Sequence, residues 1–384
     1  MNILRSDWHK KLSCASLVEL IAQSATDSDQ LYLVGGSVRD LFLEKEVSDI
    51  DFCLEANALS FVDRLCQRHG GQSIEHPEFG AAHWLYTDQS FDFTQTRTEH
   101  YPQNGSLPIT QPSCIEDDLG RRDFSINAMA ISLSPSSWGE LRDPFNGHSD
   151  LKNNIIRVLH SNSFLDDPTR IFRAARYAAR YSMSLETQTR HFLNQALATI
   201  QLGKDISWQR IGRELCLILQ ESTVIQGWMR LESWGVIEQW FPDWSTASSL
   251  LQELHSTANA TSFVESCWGL LSALLPLEER KIMEALISQD ASCLKYWREI
   301  PRYREQFQIL IDQATHWAEW GFLLETLSEE QLIVLEQLEK KSHSILNWWR
   351  KEGAEQSSSL TGKELIALGC PQGKLIGLAL REAK

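Results

Sequence analysis

Residues 31–52, LYLVGGSVRDLFLEKEVSDIDF, constrain the fold more than any other stretch of the 384-residue chain. Four apolar residues before the glycine pair are typical of a buried strand, and a short amphipathic run follows them. A second strand then carries Asp49 and Asp51, and alternation along a strand places both carboxylates on one face. Because like charges this close repel and strands are depleted of Asp, the pair needs a compensating partner.

Divalent cations can compensate this repulsion. Two carboxylates at this spacing can share a pair of Mg²⁺ ions, which bridge nucleotide phosphates and lower the pKa of an attacking hydroxyl. Upstream, Gly35 and Gly36 let the backbone approach a ligand closely, and Ser37 opens a helix whose free amides suit a triphosphate. Arg39, in the first turn of that helix, is expected to reach the same phosphates.

A glycine pair or an Asp pair is common by chance, and Asp pairs often decorate surface turns. The joint pattern, GGSVRD at 35–40 followed by SDIDF at 48–52, is far more specific. It resembles the head of the class II tRNA nucleotidyltransferases and bacterial poly(A) polymerases, in the polymerase-β-like nucleotidyltransferase superfamily. The resemblance implies an α/β head, a small mixed sheet with helices, followed by an all-α neck, body and tail.

The pattern along the chain agrees with that organisation, because strand-like runs end near residue 150 and helical periodicity dominates afterwards. The resemblance implies a catalytic head at 1–150, a base-reading neck at 151–220, a helical body at 221–351, and a linker with a tRNA-binding tail at 352–384. Within the head, the proline-containing segment between Thr98 and Glu116 has no helical period and predicts a surface loop.

Two further motifs belong to the head. EDDLGRRDFSINAMA, residues 116–130, resembles the ribose-reading motif of the family, with Arg122, Asp123 and Asn127 at its polar positions. The i, i+4 spacing predicts one helix face for Asp123 and Asn127, which could bond a ribose 2′-hydroxyl; a helix cap with an exposed amide is the alternative. DPFNGHSDL, residues 143–151, resembles a connecting hinge, for which structural and functional roles stay open.

LDDPTRIFRAARYAARYSMSLE, residues 165–186, is the most informative stretch of the neck. Helical spacing predicts one helix face for Asp167 and Arg170, and the resemblance implies that this pair reads the incoming base without a template strand. A carboxylate accepts from the exocyclic amine of cytosine or adenine, and the guanidinium donates to a ring nitrogen. The family usually has Glu-Asp where this chain has Asp166-Asp167, a departure expected to matter little.

Basic residues follow on the same helix. Arg173, Arg176 and Arg180 lie within about 60° on a helical wheel. Residues 151–190 carry seven Lys or Arg against three Asp or Glu, although the whole chain has a net charge of -15. A solvated face is the usual interpretation of such a run; beside a nucleotide site we favour phosphate binding, with Arg173 and Arg176 contacting the nucleotide and Arg180 contacting RNA.

Later motifs resemble the family less closely. ISWQRIGREL, residues 206–215, has Gln209 where the family has Glu, so any role of that Glu in packing or in switching base choice is in doubt here. The tail SLTGKELIALGCPQGKLIGLAL resembles the piece that lies against tRNA in the family, which assigns Lys363 and Lys374 to RNA binding. Tryptophan is concentrated beyond residue 200, where helical spacing favours core packing over base stacking.

The resemblance implies template-independent transfer of CMP and AMP from CTP and ATP to a tRNA 3′ end, with Asp49 and Asp51 as catalytic ligands of two Mg²⁺ ions. Addition of A alone, of CC alone, or of a poly(A) tail are alternatives, and an inactive RNA-binding module is the alternative outside the enzyme class. The segment after Arg97 favours activities other than CC addition alone. Asp92 is either a third active-site carboxylate or an Asp at the sheet edge bonded to a backbone amide.

Composition and hydropathy predict where the protein is located in the cell. Eight scattered cysteines without a C-x-x-C motif predict buried thiols in a reducing cytoplasm. Because no apolar run approaches the roughly 18 residues of a membrane span and no clear signal peptide precedes the first domain, we expect no membrane partner. The acidic net charge excludes a generally basic nucleic-acid binder and requires a local patch for RNA; the oligomeric state stays open.

Overall fold

A computed structural model gives the fold of this chain. It describes residues 14–47, 50–257, 263–275, 280–287, 291–313, 320, 323–339, 343–353 and 363. The chain divides into two compact units, residues 1–206 and residues 207–384. Asp49 and Lys374 lie outside the described residues, so the roles assigned to them stay predictions.

The first unit is built on a seven-stranded mixed sheet with the strand order β3-β4-β5-β2-β1-β8-β9. Its strands are β1 Leu31–Val34, β2 Asp51–Leu54, β3 Gln72–His76, β4 Ala81–Tyr86, β5 Gln89–Gln95, β8 Ala130–Ser132 and β9 Leu141–Arg142. Two separate pairs join β6 Arg97–His100 to β7 Ile109–Pro112, and β10 Ile155–Ile156 to β11 Ser184–Leu185. In the large sheet every neighbouring pair is antiparallel except β2 with β5.

Eight helices accompany the strands in the described part of this unit: α1 Ala15–Ser24, α2 Gly36–Phe42, α3 Ala58–His69, α4 Ile115–Gly120, α5 Gly147–Lys152, α6 Ser163–Asp166, α7 Thr169–Arg180 and α8 Thr187–Thr199. A 3₁₀ turn covers Ser125–Asn127. The sheet with its helices confirms the predicted α/β head, and the helices from residue 163 onward confirm the predicted change to helical structure.

Aromatic packing sets the register of the parallel pair. Phe52 on β2 stacks on Phe93 on β5 with ring centroids 4.9 Å apart, and Phe61 of α3 packs on the same ring at 5.5 Å. All three rings are buried. Because side chains alternate along a strand, burying Phe52 turns the preceding Asp51 to the opposite face, and Asp51 is exposed at the start of β2.

The predicted loop between Thr98 and Glu116 is mostly a β-hairpin. Thr98 pairs with Gln111 and His100 pairs with Ile109, so only residues 101–108 connect the strands. All four residues of β7 are exposed, which removes the hydrophobic alternation by which a strand is recognised from sequence. Pro112 is the last residue of β7, where the missing N–H of proline interrupts no further hydrogen bonds between the strands.

The second unit is helical throughout its described residues. Its helices are α9 Trp208–Leu219, α10 Val224–Ser233, α11 Val236–Trp240, α12 Ala247–Thr257, α13 Phe263–Leu274, α14 Arg280–Ile287, α15 Ala291–Gln313, α16 Glu329–Leu338 and α17 His343–Trp348, followed by a π turn at Trp349–Gly353. Trp228, Trp244 and Trp268 are buried, and Phe241 stacks on Trp244 at 4.6 Å, so these tryptophans pack the core as predicted. Over the ranges given above, no helix is long and apolar enough to cross a membrane.

The connecting motif at 143–151 holds the 3₁₀ turn in place. The Asp143 carboxylate accepts from the N–H groups of Gly147 at 2.6 Å and His148 at 3.1 Å, which caps α5. Asp150 is buried and accepts from Ser125 Oγ at 2.6 Å and Arg157 Nε at 3.0 Å. These contacts support the structural role of the motif.

Gly147→Ala is expected to destabilise the first unit. A Cβ at this position would lie 2.1 Å from the Ser125 carbonyl oxygen, a backbone atom that cannot rotate away. Overpacking of this kind costs about 1–3 kcal/mol, which we expect as a lower free energy of unfolding in urea.

Gly120→Ala is the matched control, because its Cβ would meet the Phe145 ring at 3.5 Å, an ordinary contact. It lies at the end of α4, where Ala favours helix more than Gly does. Equal stabilities of the two variants would contradict the close approach at Gly147.

Candidate active site

The glycine turn between β1 and α2 brings Asp51 and Arg122 together. Gly35 has φ +67° at the start of α2, and a Cβ there would lie 2.7 Å from Arg122 Nη1 and 3.9 Å from Asp51 Oδ2. The buried Ser37 hydroxyl accepts from the Asp51 N–H at 3.2 Å. Only glycine fits both the backbone angle and the space at residue 35, so the sequence motif reflects close packing around the carboxylate. Gly36 packs on the Arg39 guanidinium.

Asp92 lies beside Asp51 in the sheet. The two residues are register partners on the parallel strands β2 and β5, so their side chains leave the same face. The Asp92 carboxylate is half-exposed and pairs with Nδ1 of His83 on β4. The bonding partner is thus a histidine side chain, where the alternative interpretation of Asp92 expected a backbone amide.

Two neighbouring, accessible carboxylates suit a hard divalent cation, which prefers oxygen ligands. Asp51 and Asp92 supply such oxygens, and Asp49 lies outside the described residues. A cluster of three His, Cys, Asp or Glu side chains suited to a metal does not occur among the residues whose positions are given. Asp51 and Asp92 therefore fit part of a magnesium site.

Asp118 organises the arginines on the face of the sheet that carries Asp51, since Cys53, two residues along β2, contacts both Asp118 and Arg122. Its carboxylate is buried and accepts from Arg121 Nη2 at 2.8 Å and Arg122 Nη2 at 2.9 Å, and also from the Arg97 N–H at 3.2 Å. Burial alone raises the pKa of Asp118, but the two guanidinium groups outweigh it and the pKa lies below the ordinary value. Asp118 was not among the predicted site residues; its signal in the sequence was the spacing of three and four residues to Arg121 and Arg122, which follow the end of α4.

Asp123 and Asn127 form a second buried cluster. Asn127 Nδ2 donates to Asp123 Oδ1 at 2.9 Å, and Arg173 donates to Asp123 Oδ2 through Nε at 2.9 Å and Nη2 at 2.6 Å. Burial raises the pKa of Asp123, but Arg173 and the other donors outweigh it and lower the pKa. The predicted α-helix face is wrong, because Asp123 precedes the 3₁₀ segment Ser125–Asn127, and this turn brings the two side chains into contact. The alternative of an exposed amide is wrong, since Asn127 is buried.

Arg39 does not face solvent. Its guanidinium is buried, with Nε and Nη2 donating to Asp40 at 2.9 and 2.8 Å and Nη1 donating to Asn127 Oδ1 at 2.7 Å. The guanidinium that the sequence directs to phosphates has its hydrogen-bond partners inside the protein in this structure, and its contact with phosphates stays a prediction. The physical reason is tertiary: the partners of Arg39 include a residue 88 positions away, which the spacing within one helix cannot reveal.

Asp167 and Arg170, the pair that the sequence predicts for base reading, lie at the start of α7. Asp167 precedes the helix with φ -139°, and its Oδ1 accepts from Thr169 N–H at 3.0 Å and Thr169 Oγ1 at 2.6 Å. The predicted position of Asp167 on a helix face is wrong, because Pro168 and this capping bond start the helix after it. Arg170 is buried and donates to Ser163 Oγ at 2.6 Å and to the Arg121 carbonyl oxygen at 2.9 Å.

The three later arginines of α7 differ in exposure. Arg173 bonds to Asp123, and Arg176 is buried with its guanidinium carbon 4.9 Å from the centroid of the Tyr177 ring. Arg180 is the exposed one of the three, over the Tyr181 ring at 6.0 Å. A solvated basic face is therefore wrong for Arg173 and Arg176. Lys363 is exposed, in agreement with a surface role.

Three consecutive residues connect these clusters. The Arg121 carbonyl accepts from Arg170, the Arg122 guanidinium lies against Gly35 beside Asp51, and the Asp123 carboxylate binds Asn127 and Arg173. A mixed sheet that presents neighbouring carboxylates beside a glycine turn, with such a cluster next to them, defines the head of a nucleotidyltransferase.

Comparison with known proteins agrees with this class. The poly A polymerase head domain model matches residues 31–157. The CCA-adding enzyme of Lactobacillus helveticus is 30% identical over 286 residues, covering 73% of this chain and 67% of that protein. A solved apo form of a CCA-adding enzyme superposes with a TM-score of 0.80 at 27% identity, covering 98% of this chain and 92% of that one. The chain belongs to the family of poly(A) polymerases and tRNA nucleotidyltransferases.

Higher identity extends over a shorter region. The A-adding tRNA nucleotidyltransferase of Halalkalibacterium halodurans is 42% identical over 207 residues, which cover 53% of this chain and 48% of that protein. The chain thus spans about half the length of this relative.

The low pKa of Asp118 predicts a pH dependence of stability. Its folded pKa lies below the ordinary 3.8, so the carboxylate stabilises the fold above that value and loses this contribution as pH falls through the folded pKa. Urea unfolding between about pH 5 and pH 2 is expected to show this loss.

Asp118→Asn is expected to cost about 3–5 kcal/mol at neutral pH, because it leaves two guanidinium groups without their buried counter-charge, and to reduce the slope of stability against pH. Glu116→Gln, an exposed change on the same helix, is the control. A variant at Asp118 as stable as this control at pH 7 would contradict the assignment.

Proposed function

We propose that the protein is a template-independent tRNA nucleotidyltransferase that adds CMP and AMP, from CTP and ATP, to the 3′ end of tRNA in the cytoplasm. The observation that carries the proposal is the run Arg121–Asp123. The Arg121 carbonyl accepts from Arg170, the Arg122 guanidinium lies against Gly35 beside Asp51, and the Asp123 carboxylate accepts from Asn127. One compact unit thereby holds the groups that a metal, a ribose and a base would each need.

Asp49 and Asp51 would hold two Mg²⁺ ions, with Asp92 as a further ligand beside them. Bound there, the ions would supply charge that lowers the pKa of the terminal tRNA hydroxyl and stabilises the departing pyrophosphate. The protein fixes Asp51 through its N–H bond to Ser37 and its packing against Gly35.

The nucleotide would lie across the three clusters. Gly35, Gly36 and Ser37 give the triphosphate access to the start of α2, and Arg122 lies beside them with a guanidinium held by Asp118. Asp123 and Asn127 would meet the ribose 2′-hydroxyl, with Arg173 keeping the carboxylate ionised. Because its pKa is lowered, Asp123 is an acceptor at neutral pH.

The base would meet Asp167 and Arg170. The carboxylate would accept from the exocyclic amine of cytosine or adenine, and the guanidinium, held by Ser163 and the Arg121 carbonyl, would donate to the adjacent ring nitrogen. We assign tRNA contacts outside this site to Arg180, Lys363 and Lys374, and a packing role to the buried Arg176.

Addition of A alone is the second candidate, since the relative at 42% identity is an A-adding enzyme and the one at 30% is a CCA-adding enzyme. The same reading pair serves cytosine and adenine, so the site does not separate the two activities. The deciding experiment supplies purified protein with tRNA ending at the discriminator base or at CC, and CTP or ATP singly and together.

CCA synthesis predicts extension of both primers, by three nucleotides and by one. An A-only enzyme extends only the tRNA that ends in CC, an enzyme for CC alone uses only CTP, and a poly(A) polymerase adds many A residues. Protein that binds tRNA but extends neither primer with any nucleotide would overturn the proposal.

Asp51→Asn is expected to lower turnover by several orders of magnitude and to leave tRNA affinity nearly unchanged, because only the metal-bound step loses a ligand. Binding of Mn²⁺ as a spectroscopic substitute for Mg²⁺ should weaken in parallel. Asp88→Asn, in the exposed turn between β4 and β5, is the control. Turnover of Asp51→Asn above about a tenth of the control would assign catalysis to other residues.

Asp167→Ala tests base choice. Each correct contact to a base edge is worth about 1–3 kcal/mol, so the pair should reject UTP and GTP on the order of 10² to 10⁴-fold. Removing the acceptor that repels carbonyl bases should lower that selectivity together with the rate for CTP and ATP. Asp166→Ala is the control, because it removes a carboxylate from the neighbouring residue, to which no base contact is assigned. Selectivity retained in full by Asp167→Ala would place base recognition elsewhere.

A further inference from the structure

Arg39 is committed to contacts inside the protein. Two of its three nitrogens form a fork to the Asp40 carboxylate, and the third nitrogen, Nη1, donates to Asn127 Oδ1 at 2.7 Å. Its side chain is only 6% exposed. A planar guanidinium held at one end by a carboxylate presents its remaining N–H groups in a fixed direction, which a flexible lysine would not do.

Two tyrosines complete the surroundings of this guanidinium: Tyr177 near the end of α7, and Tyr181 directly after it. Its carbon lies 4.8 Å from the centroid of the Tyr181 ring and 5.3 Å from that of Tyr177. The Tyr181 hydroxyl donates to Asp40 Oδ1 at 3.1 Å, so the ring that supports the guanidinium also binds its counter-ion. The position of Arg39 is thus set by residues from both α2 and α7.

The contact with Arg39 fixes which way the Asn127 amide points. A side-chain amide offers an acceptor oxygen and a donor nitrogen, and here the oxygen faces the Arg39 donor while the nitrogen faces the Asp123 acceptor. Turning the amide over would place NH₂ against a guanidinium and oxygen against a carboxylate. Both contacts would become repulsive, so one orientation is strongly favoured.

These contacts close into a ring. Arg39 binds Asn127, Asn127 binds Asp123, Asp123 binds Arg173, and Arg173 Nη2 donates to the Tyr177 hydroxyl at 3.2 Å. Tyr177 returns to Arg39 through its ring. Arg39 therefore bonds to the Asn127 end of the Asp123–Asn127 cluster, and Arg173 bonds to the Asp123 end. A substitution at Arg39 would alter the cluster through the single hydrogen bond to Asn127.

From this ring we propose that Arg39 is a positioning residue for ribose selection. It holds the Asn127 amide so that the second N–H of Nδ2, beside the Asp123 carboxylate, meets a ribose 2′-hydroxyl, and it thereby favours ribonucleotides over deoxyribonucleotides. The inference rests on the proposed nucleotidyl transfer. It gives Arg39 a role in ribose selection, whereas the sequence predicts phosphate binding for this residue.

The test compares ATP with dATP on tRNA ending in CC and measures kcat/KM for each. Arg39→Lys keeps the charge but loses the fork to Asp40 and the fixed donor to Asn127. We expect the ratio of ATP to dATP to fall about threefold to tenfold, the effect of losing one hydrogen bond, through a lower kcat/KM for ATP with that for dATP nearly unchanged. Arg64→Lys is the matched control, because Arg64 on α3 is also paired with an aspartate, Asp29, and has no part in the contacts around Asn127.

A double variant shows whether Arg39 acts through Asn127. With Asn127→Ala already present, Arg39→Lys should change the ratio no further, because the amide that it positions is gone. Ratios that multiply independently would overturn the inference. So would an unchanged ratio in Arg39→Lys with both activities lowered equally, which is what a merely structural role predicts.

A second variant covers a failure of Arg39→Lys to fold. Asp40→Asn keeps the size of the side chain and weakens the fork, and it should lower the ratio in the same direction; an unchanged ratio there overturns the inference. Wild-type protein that adds neither nucleotide contradicts the proposed function, whereas wild-type protein that adds ATP and dATP equally well contradicts only the role of Arg39.

Discussion

The buried carboxylate of Asp118 is the interaction on which the rest of the site depends. It neutralises Arg121 and Arg122 at once, and each of these arginines extends to a different part of the site. The Arg122 guanidinium reaches the turn at Gly35, and the Arg121 main chain receives Arg170. Two partly buried cations can lie this close together because ionised acids neutralise them, Asp118 between the two and Glu99 beside Arg121.

The buried charged groups hold the site in place, whereas the exposed ones are accessible to a ligand. Arg39, Asp118, Asp123 and Arg170 are buried, and each has hydrogen-bonded partners, which makes their positions rigid. Asp51 is exposed at the end of its strand, where a ligand can reach it. The molecule thus supports a few accessible groups with many inaccessible ones, the arrangement that holds reacting groups within a narrow range of positions.

Several parts of this arrangement could be predicted from sequence. The spacing of Asp123 and Asn127 predicted that the two side chains lie on the same side of the chain, and a turn followed by a 3₁₀ segment, in place of the predicted α-helix, places them there. The alternation at β2 predicted an outward Asp51 and a buried Phe52. These features depend on local periodicity, which one sequence contains.

Other parts depend on distant residues and could not be predicted. The spacing from Asp118 to Arg121 and Arg122 is compatible with ion pairs, but it does not show that Asp118 is the buried member of the acidic run 116–118. Arg39 is directed inward by Asn127 and by two tyrosines in and directly after α7, all far away in sequence. The strands β6 and β7 pair through their backbones, β7 is exposed along its whole length and β6 consists of polar residues, so the hydrophobic pattern gives no sign of them.

The parallel pairing of β2 with β5 has a consequence for how the protein is made. Asp51 and Asp92 meet only after the chain has formed α3, β3 and β4 between them, and Asp123 gains its counter-charge from Arg173, 50 residues later. Contacts of such long range form slowly, since much chain must be ordered before they are made. On the ribosome, the nucleotide site is therefore incomplete until α7 has emerged, and a head that is released before α7 would carry a buried acid without its base.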